Sequence, residues 1–316
     1  MKNRCLYCYN PLEDNEIDYH SKCSKEFFGM EKPPELSLSL SDINKYAVEM
    51  LQRSVVVTGV QPKLSLDLKK EKDNPPRLTI VGLWGQYILK PPHSDYPEMP
   101  ELEDLTMKLS EGYGINTASH SLIRMKSGEL AYINKRFDRT ASGKLHMEDF
   151  AQILELMTER KYNSSIEKIG KAILKYSSFP GNDVINLFEI ILFCFFTGNS
   201  DMHLKNFSLL RDEYDDIKLS PAYDLLAVKL LLPADKEETA LTINGKKSHL
   251  RKNDFNTLAD RFGINEKSRN SIYNRFTNVY NDWEKVINKS FITGTMKEKY
   301  ISLIKSRMEQ IGLLVI

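Results

Sequence analysis

The sequence predicts an α+β fold in two lobes, one rich in strands and one helical. Short runs of β-branched and alternating residues, separated by turn residues, fill the stretch between residues 54 and 137. After residue 140 the apolar residues recur at helical spacing, and this pattern continues to the end. Strands followed by helices, instead of alternating with them, are typical of α+β proteins. We expect a ligand cleft between two such lobes.

Turn residues and changes of composition divide the chain into three parts. A cysteine-rich segment covers residues 1–32, a strand-rich N-lobe covers residues 33–138, and a helical C-lobe covers residues 139–316. A chain of 316 residues exceeds the size at which a single core stops growing, about 250 to 300 residues. We therefore expect two lobes around the predicted cleft.

Composition excludes several classes of protein. Lys and Arg number 44 against 43 Asp and Glu, a net charge of +1, so the surface as a whole does not predict polyanion binding. The sequence is 41% hydrophobic and 28% charged, which is typical of globular proteins and not of disordered ones. Its longest apolar stretch, 184–196, is shorter than the ~20 residues that cross a bilayer, and the first residues lack a secretory signal. We expect a cytoplasmic protein without a membrane span.

The predicted elements follow in order. The N-lobe strands are VVVTG, KLSLDLKK, RLTIV, QYILK and AYINKRF, and one helix from Leu102 to about Glu111, ended by Gly112 and Gly114, interrupts them. In the C-lobe, NDVINLFEIILFCFFTG predicts a buried helix that Asn182 or Asp183 caps and Gly198 ends. A hairpin of 207–210 with 217–219 follows, and amphipathic helices run from residue 253 onward.

The loop after the buried helix carries the strongest chemical signal, TGNSDMHLKNF at residues 197–207. Polar loops held by buried elements are common places for catalytic groups. Within the loop, Asp201 and Asn206 are five residues apart, and Asp224 follows eighteen residues later, after a strand-like KLS. Phosphoryl transfer uses one Asp to accept the hydroxyl proton, and an Asn oxygen with a second Asp to hold Mg²⁺. The spacing therefore predicts a kinase-like centre.

The N-lobe supplies candidates for nucleotide binding in the expected order. TGVQPK places Gly59 in a turn between two β-rich runs, Lys90 ends the strand QYILK, and Glu103 begins the following helix. Kinases use a glycine-containing loop over the phosphates and a strand lysine that a helix glutamate orients. Each residue alone also has a structural interpretation: a hairpin glycine, a solvated strand end, or, for the acidic loop residues, a turn or helix cap. Their joint order favours the functional interpretation.

These segments resemble HipA-family serine/threonine kinases, the toxin component of bacterial type II toxin–antitoxin systems. The resemblance runs from about residue 54 to the end of the chain. The segments that carry it are TGVQPKLSL, ILKPP, YPEMPELE, NKRFDR, EDFAQ, GNSDMHLKNFSL and SPAYDLL.

The resemblance implies a role for each matching residue. Asp201 is expected to be catalytic, Asn206 and Asp224 to hold Mg²⁺, and Lys90, paired with Glu103, to contact the α- and β-phosphates of ATP. The remaining nucleotide-binding residues are expected to be Gly59, Val60, Gln61 and Lys63 in the glycine loop, Lys135 and Phe137 in the adenine hinge, and His203 and Lys205 beside the phosphates. Residues 238–250 fall where the family has a basic activation-loop-like segment, although Lys246 and Lys247 fit a solvated turn equally well.

Two features depart from the family pattern. In many relatives the glycine loop begins with a phosphorylatable serine, and here that position is Val56, so autophosphorylation is expected at Thr58 or Ser54 instead. The 57 residues before Thr58 are also fewer than in long HipA proteins. This resembles split systems in which a small separate protein supplies the missing subdomain, alongside a helix-turn-helix DNA-binding partner. Both antitoxin proteins are expected partners of this chain.

The first part of the chain offers a metal site, Cys5-x2-Cys8-x11-His20-x2-Cys23. Two pairs of thiol and imidazole ligands are the arrangement of a tetrahedral structural Zn²⁺. The alternative is a reduced thiol cluster packed among aromatic residues. Acidic residues offset the basic ones in this segment, so no direct nucleic-acid binding is expected.

The sequence therefore predicts an ATP- and Mg²⁺-dependent kinase that acts on a serine or threonine hydroxyl of a protein. The resemblance suggests a translation-related target such as an aminoacyl-tRNA synthetase. A lipid or small-molecule kinase is an alternative, because Asp201-x-His203-x-x-Asn206 is also the spacing of phosphoinositide kinases and antibiotic phosphotransferases. The alternative of another class is an inactive kinase-like binding module.

Overall fold

The computed structural model describes residues 3–43, 45, 62–71, 74–81, 84–140 and 143–314. The chain forms two compact units. The first comprises Met1–Asp104, Ala118–Phe137 and Lys289–Phe291, and the second comprises Leu105–Thr117, Asp138–Asn288 and Ile292–Ile316. The first unit holds the large sheet and the second holds most of the helices, so the predicted α+β class is confirmed.

The sheet of the first unit has six strands in the order β1-β3-β2-β4-β6-β5. The strands β1 to β6 are Glu35–Leu36, Leu64–Glu71, Asn74–Ile80, Tyr87–Lys90, His120–Arg124 and Leu130–Lys135. Only the short β1 pairs in parallel, and every other described pairing in this sheet is antiparallel. In β4, alternate side chains point to opposite faces, so Leu89 aligns with buried Ile133 while Lys90 aligns with Tyr132 on the other face.

Two helices accompany this sheet. Helix α1 is Ser21–Phe28 and ends at Gly29, whose φ of 75° is the left-handed conformation that glycine adopts without strain. Helix α2 is Met99–Tyr113 and contributes its first six residues to the first unit. The predicted helix was too short at both ends, because Gly112 lies within α2 and only Gly114, with a φ of 103°, ends it.

The second unit contains the remaining helices and two small sheets. Helices α3 to α9 are Phe150–Ile153, Ile166–Tyr176, Pro180–Thr197, Val228–Leu231, Lys252–Arg261, Glu266–Lys289 and Gly294–Gln310. The strands β7 to β11 are Arg139–Thr140, Gly143–Lys144, Met147–Asp149, Ser208–Arg211 and Ile217–Leu219. Strand β10 lies between β9 and β11, antiparallel to both, which confirms the predicted hairpin.

Helix α5 forms the centre of the second unit. Its side chains Leu187, Phe188, Phe193, Phe195 and Phe196 are fully buried, and it packs against α4 and α9. By length and composition α5 could cross a membrane, but 72% of its residues are buried within the protein. Burial of this extent is what a core helix shows, because its apolar surface is covered by other elements of the same chain.

The start and the end of α5 each have a local cause, and the sequence predicted only the end. The predicted cap at Asn182 or Asp183 is wrong, because the helix begins at Pro180. The proline ring fixes φ at a helical value, and its missing N–H costs nothing in the first turn, where backbone N–H groups have no helical partner. Asp183 instead accepts hydrogen bonds from Ser177 Oγ at 2.6 Å and from the Leu219 amide at 2.8 Å. The predicted stop at Gly198 is confirmed by its φ of 70°.

Candidate active site

The loop between α5 and β10 is built on buried apolar side chains. Met202, Leu204 and Phe207 are each less than 5% exposed and anchor the loop in the core of the second unit. A Cβ atom at Gly198 would lie 2.7 Å from Leu303 Cδ2 and 2.9 Å from Lys229 Cβ, closer than real Cβ contacts. Glycine is therefore required where the helix turns into the loop, for its conformation and for its size.

Asp201 is held by backbone and side-chain hydrogen bonds. Its carboxylate Oδ1 accepts from the Tyr162 hydroxyl at 2.7 Å, and its amide donates to Asn199 Oδ1 at 3.3 Å. Its carbonyl oxygen accepts from Asn206 Nδ2 at 3.2 Å. That bond fixes the amide group of Asn206 and directs its other polar atom, the oxygen Oδ1, away from Asp201 O. An amide oxygen is a ligand that Mg²⁺ accepts.

Asp224 is brought to the same loop by its neighbour Tyr223. The Tyr223 hydroxyl donates to the Lys205 carbonyl at 2.9 Å and lies 2.6 Å from Ser208 Oγ. Asp224 has a φ of 57°, a left-handed conformation that is uncommon outside glycine and that recurs at functional sites. The backbone at Asp224 is therefore held in a turn beside the loop.

His203 is a buried residue of the same loop. Burial lowers the pKa of its imidazole, while the charges of Asp201 and Asp224 both act to raise that pKa. The ring packs edge-on against Tyr162, with centroids 5.1 Å apart, and is only 6% exposed. His203 is therefore neutral near pH 7 and supports the loop from within. Its predicted role beside the phosphates stays a prediction.

Lys205 lies on the outer side of the loop. Its ammonium nitrogen is 3.7 Å from Asp149 Oδ2, and 38% of its side chain is exposed. Asp149 also caps α3, since its Oδ1 accepts from the Gln152 amide at 3.0 Å. Lys205 therefore places a positive charge at the edge of the loop, and its predicted role beside the phosphates stays a prediction.

In the first unit, Lys90 and Glu103 form a buried ion pair. Lys90 is 4% exposed and Glu103 is 1% exposed, and the ammonium group donates to Glu103 Oε1. Lys90 also lies over the ring of Tyr132, 5.3 Å from its centroid. Burying two charges costs several kcal/mol for each ion, so the pair is weak evidence for stability. A buried pair on the face of a sheet favours the functional interpretation.

The structure describes only some of the other nucleotide-binding candidates. Gly59, Val60 and Gln61 lie outside the described residues, as do Thr58 and Ser54, the predicted phosphorylation sites. Lys63 is exposed directly before β2, and Lys135 is exposed at the end of β6. One of the boundaries between the two units falls directly after Phe137, the last predicted hinge residue.

The lysines of the activation-loop-like segment are both paired. Lys246 Nζ lies 2.8 Å from Asp254 Oδ1, and Lys247 Nζ lies 3.3 Å from Glu237 Oε2. Asp254 is 2% exposed and also accepts from the Arg251 amide at the start of α7. Lys246 therefore compensates a buried carboxylate, which supports its structural interpretation.

The cysteine segment brings its four predicted ligands together. One ligand atom from each of Cys5, Cys8, His20 and Cys23 lies within 4.8 Å of the others. His20 Nδ1 is 3.4 Å from Cys8 Sγ and 3.7 Å from Cys23 Sγ. Helix α1 explains this closeness, because His20 is its N-cap residue and Cys23 lies in its first turn.

Tyr162 is a site residue that the sequence did not indicate. It precedes Asp201 by 39 residues and lies in a loop without a motif. Burial and the hydrogen bond to Asp201 raise the pKa of its hydroxyl, so the hydroxyl stays a donor at neutral pH.

Replacing Tyr162 by Phe is expected to lower the turnover number about tenfold and to leave ATP affinity unchanged. The change removes one hydrogen bond to a charged group, which is worth about 1.5 to 3 kcal/mol. Steady-state kinetics and calorimetric ATP binding measure the two quantities. Tyr214→Phe, at a residue that is 88% exposed in the same unit, is the matched control. A full-rate Tyr162→Phe enzyme would show that Asp201 needs no support from this hydroxyl.

Glu101 on α2 gives a pH-dependent prediction. Burial, together with the charges of Glu98 and Asp104, raises its pKa to about 7. Because the folded pKa lies above the unfolded value, the folded state binds more protons between about pH 4.5 and 7, and stability falls as pH rises through that window. Glu101→Gln, which mimics the protonated form, is expected to raise Tm by about 3 °C or more at pH 8 and little at pH 5.

Thermal unfolding followed by circular dichroism at the two pH values checks this expectation. Glu111→Gln, at an exposed position of the same helix, is the control and should behave alike at both. Equal effects of Glu101→Gln at pH 5 and pH 8 would contradict a raised pKa.

Comparison with known proteins identifies the family. Residues 55–283 match the model of the HipA-like C-terminal domain. The chain belongs to this family.

Among curated proteins, it is 30% identical over 226 residues to "Putative kinase Y4dM" of Sinorhizobium fredii, covering 67% of this chain and 54% of that protein. It is 27% identical over 245 residues to a "Putative kinase" of Haemophilus influenzae, covering 72% and 68%. The chain spans about half the length of Y4dM and of a second S. fredii relative, Y4mE.

Solved structures show the same fold. HipA of Shewanella oneidensis, solved in complex with HipB and its operator DNA, matches with a TM-score of 0.67 at 19% identity, over 84% of this chain and 70% of that one. The Helicobacter pylori proinflammatory kinase CtkA matches with a TM-score of 0.53 at 17% identity, over 78% of this chain and 93% of that one. The predicted kinase-like fold is therefore confirmed for this HipA-family chain.

Proposed function

We propose that the chain is an ATP- and Mg²⁺-dependent kinase that transfers the γ-phosphoryl group to a serine or threonine hydroxyl of a protein. The observation that carries the proposal is the arrangement of Asp201 and Asn206 in one anchored loop, with Asp224 beside it. Family membership and the kinase-like fold support it. These residue types in this arrangement suit a reaction in which positioning and charge do most of the work.

Asp201 is proposed to accept the proton of the attacking hydroxyl. Its carboxylate already accepts a hydrogen bond from one hydroxyl, that of Tyr162, which shows the kind of donor it can take. In the reaction, the substrate O–H bond breaks, its proton moves to Asp201, and the oxygen bonds to the γ-phosphorus while the bond to the β-phosphate oxygen breaks. Asn206 and Asp224 would hold Mg²⁺, which neutralises charge on the phosphate oxygens.

Lys90 is proposed to bind the α- and β-phosphates, with Glu103 fixing its position. Burial makes this pair suitable, because a lysine that is held rigidly in a low-dielectric environment interacts strongly with a phosphate that reaches it. The segment 59–63, of which Pro62 and Lys63 are described, would cover the phosphates as the resemblance implies.

We further propose that the chain is the toxin of a type II toxin–antitoxin pair and acts in the cytoplasm on a translation-related target. The support is the structural match to S. oneidensis HipA, whose structure includes HipB and operator DNA. Co-purification of the full chain with the products of neighbouring small reading frames tests the partners. Isolation of the chain alone under those conditions would contradict them.

A lipid or small-molecule kinase remains the second candidate because of the spacing Asp201-x-His203-x-x-Asn206. Parallel assays with radiolabelled ATP and a bacterial protein extract, phosphoinositide vesicles or an aminoglycoside separate the two. We expect label in protein, and mass spectrometry of the labelled chain is expected to find Thr58 or Ser54 modified. Label confined to lipid or aminoglycoside would overturn protein specificity, and no label in any arm would favour the inactive binding module.

A further inference from the structure

We propose that Cys5, Cys8, His20 and Cys23 bind one Zn²⁺, and that the metal-held N-terminal segment positions the Lys90–Glu103 pair through Tyr9. We call residues 5–23 the knuckle. The metal site stands on its own geometry, whereas the effect on nucleotide use rests on the proposed kinase function.

The ligand set fits zinc in number, type and spacing. Three thiolates and one imidazole are a common set for closed structural sites, in which Zn–S distances of about 2.3 Å place sulfur atoms nearly 4 Å apart. The four ligand atoms here lie within 4.8 Å of one another. The other ring nitrogen of His20, Nε2, lies 3.0 Å from the Pro11 carbonyl oxygen. Zinc-binding histidines make this kind of outer hydrogen bond, which fixes the ring with the opposite nitrogen toward the metal.

The backbone of the knuckle places Tyr9 directly after a ligand. The Tyr9 amide donates to the Cys5 carbonyl at 2.9 Å, and the Cys5 amide donates to the Asn10 carbonyl at 2.9 Å. Tyr9 has a φ of 63°, a conformation that a tyrosine adopts only when its surroundings impose it. Metal binding at Cys5 and Cys8 would hold this turn closed, and Tyr9 directly follows the second of these ligands.

Tyr9 reaches from the knuckle to α2. Its hydroxyl donates to Asp104 Oδ2 at 2.5 Å, and the other oxygen of that carboxylate lies 2.6 Å from His120 Nδ1 on β5. Asp104 is fully buried, so these hydrogen bonds replace the contacts with water that its carboxylate oxygens have lost. The knuckle, the helix and the sheet are thus joined at one carboxylate.

The contacts at Asp104 connect to the Lys90–Glu103 ion pair by two routes. Along α2, Asp104 follows Glu103 directly, so the bonds that hold Asp104 fix the backbone from which Glu103 projects. Across the sheet, the His120 ring stacks on Tyr132 with centroids 5.9 Å apart, and Lys90 Nζ lies over the same Tyr132 ring, 5.3 Å from its centroid. Tyr9 is therefore a positioning residue for both members of the pair.

Metal content is the first measurement. The purified full chain is expected to contain about one zinc per molecule by inductively coupled plasma mass spectrometry, and Cys8→Ser should lose at least nine tenths of it. Cys194→Ala, at the cysteine outside the cluster, should keep its zinc. Absence of zinc from chain purified without chelators and after incubation with Zn²⁺ would overturn the site in favour of a reduced thiol cluster. This result does not depend on any kinase activity.

The positioning role is tested by Tyr9→Phe against Tyr7→Phe. Both changes remove one hydroxyl from the knuckle, but Tyr7 donates to the exposed Glu26 at 2.8 Å, not to a buried carboxylate. Tyr9→Phe is expected to weaken ATP binding about tenfold by calorimetry and to speed amide hydrogen exchange in α2, with zinc retained. Tyr7→Phe should leave all three unchanged.

A double-mutant cycle separates positioning from general destabilisation. In a Lys90→Met background, Tyr9→Phe is expected to weaken ATP binding by less than twofold, because the residue it positions is gone. A further tenfold loss in that background would contradict the coupling. If the Lys90→Met variant bound ATP as tightly as the wild-type chain, that result would count against the proposed function of Lys90. The zinc result would stand in either case.

Discussion

Asp201→Asn is expected to reduce phosphoryl transfer about a thousandfold, the size of effect that a positioned general base contributes. Asparagine keeps the size of the side chain and an oxygen that can accept the Tyr162 hydrogen bond, but it cannot take up the proton. Nucleotide binding should therefore survive. Transfer of labelled γ-phosphate to the chain and to extract proteins gives the rate, and calorimetry gives the ATP affinity.

The matched control is Asp215→Asn. Asp215 lies in the exposed turn between β10 and β11 and, like Asp224, has a positive φ, which asparagine tolerates. It should transfer phosphate at the wild-type rate. An Asp201→Asn rate within tenfold of wild type, with the control intact, would show that another group accepts the proton.

Lys90→Met should show the second large effect, a loss of ATP affinity together with a loss of stability of about 3 to 5 kcal/mol. Methionine fills a similar volume but leaves the carboxylate of Glu103 buried without the ammonium that compensates it. Stability and function can be separated, because the double variant Lys90→Met/Glu103→Gln removes both charges. It is expected to regain most of the stability and none of the ATP binding.

Urea unfolding measures the stability, and calorimetry measures the ATP affinity, of the wild-type chain, Lys90→Met and the double variant. If the double variant recovered both, the pair would serve the fold alone. If Lys90→Met bound ATP normally despite its lower stability, the proposed role of Lys90 at the phosphates would be wrong.

The parts of the candidate site that follow one another in the chain could be predicted from the sequence. Asp201 and Asn206 lie in one loop whose start is fixed by the glycine that ends α5. Asp224 follows the strand that pairs with the one after the loop, so the hairpin returns it to the same place. Local signals of this kind are strong because turn chemistry and hydrophobic periodicity are local.

The supporting contacts could not be predicted, because the residues that make them are distant in sequence and carry no motif. Tyr162 reaches Asp201 across 39 residues, and Tyr9 reaches Asp104 across 95. Which tyrosine meets which carboxylate depends on how the elements pack. The prediction of where α5 starts failed for a local reason. Asp183 is a residue type that often caps helices, but its carboxylate accepts a hydrogen bond from the Leu219 amide of β11 instead.

A crystal structure of the chain with Mn²⁺ and a non-hydrolysable ATP analogue tests the proposed function most directly. Mn²⁺ replaces Mg²⁺ on oxygen ligands, and its anomalous scattering locates it independently of the protein atoms. We expect the metal on Asn206 and Asp224, the γ-phosphate facing Asp201, and Lys90 within hydrogen-bond distance of the α- or β-phosphate. A nucleotide bound elsewhere, or Mn²⁺ held by none of these residues, would contradict the proposal.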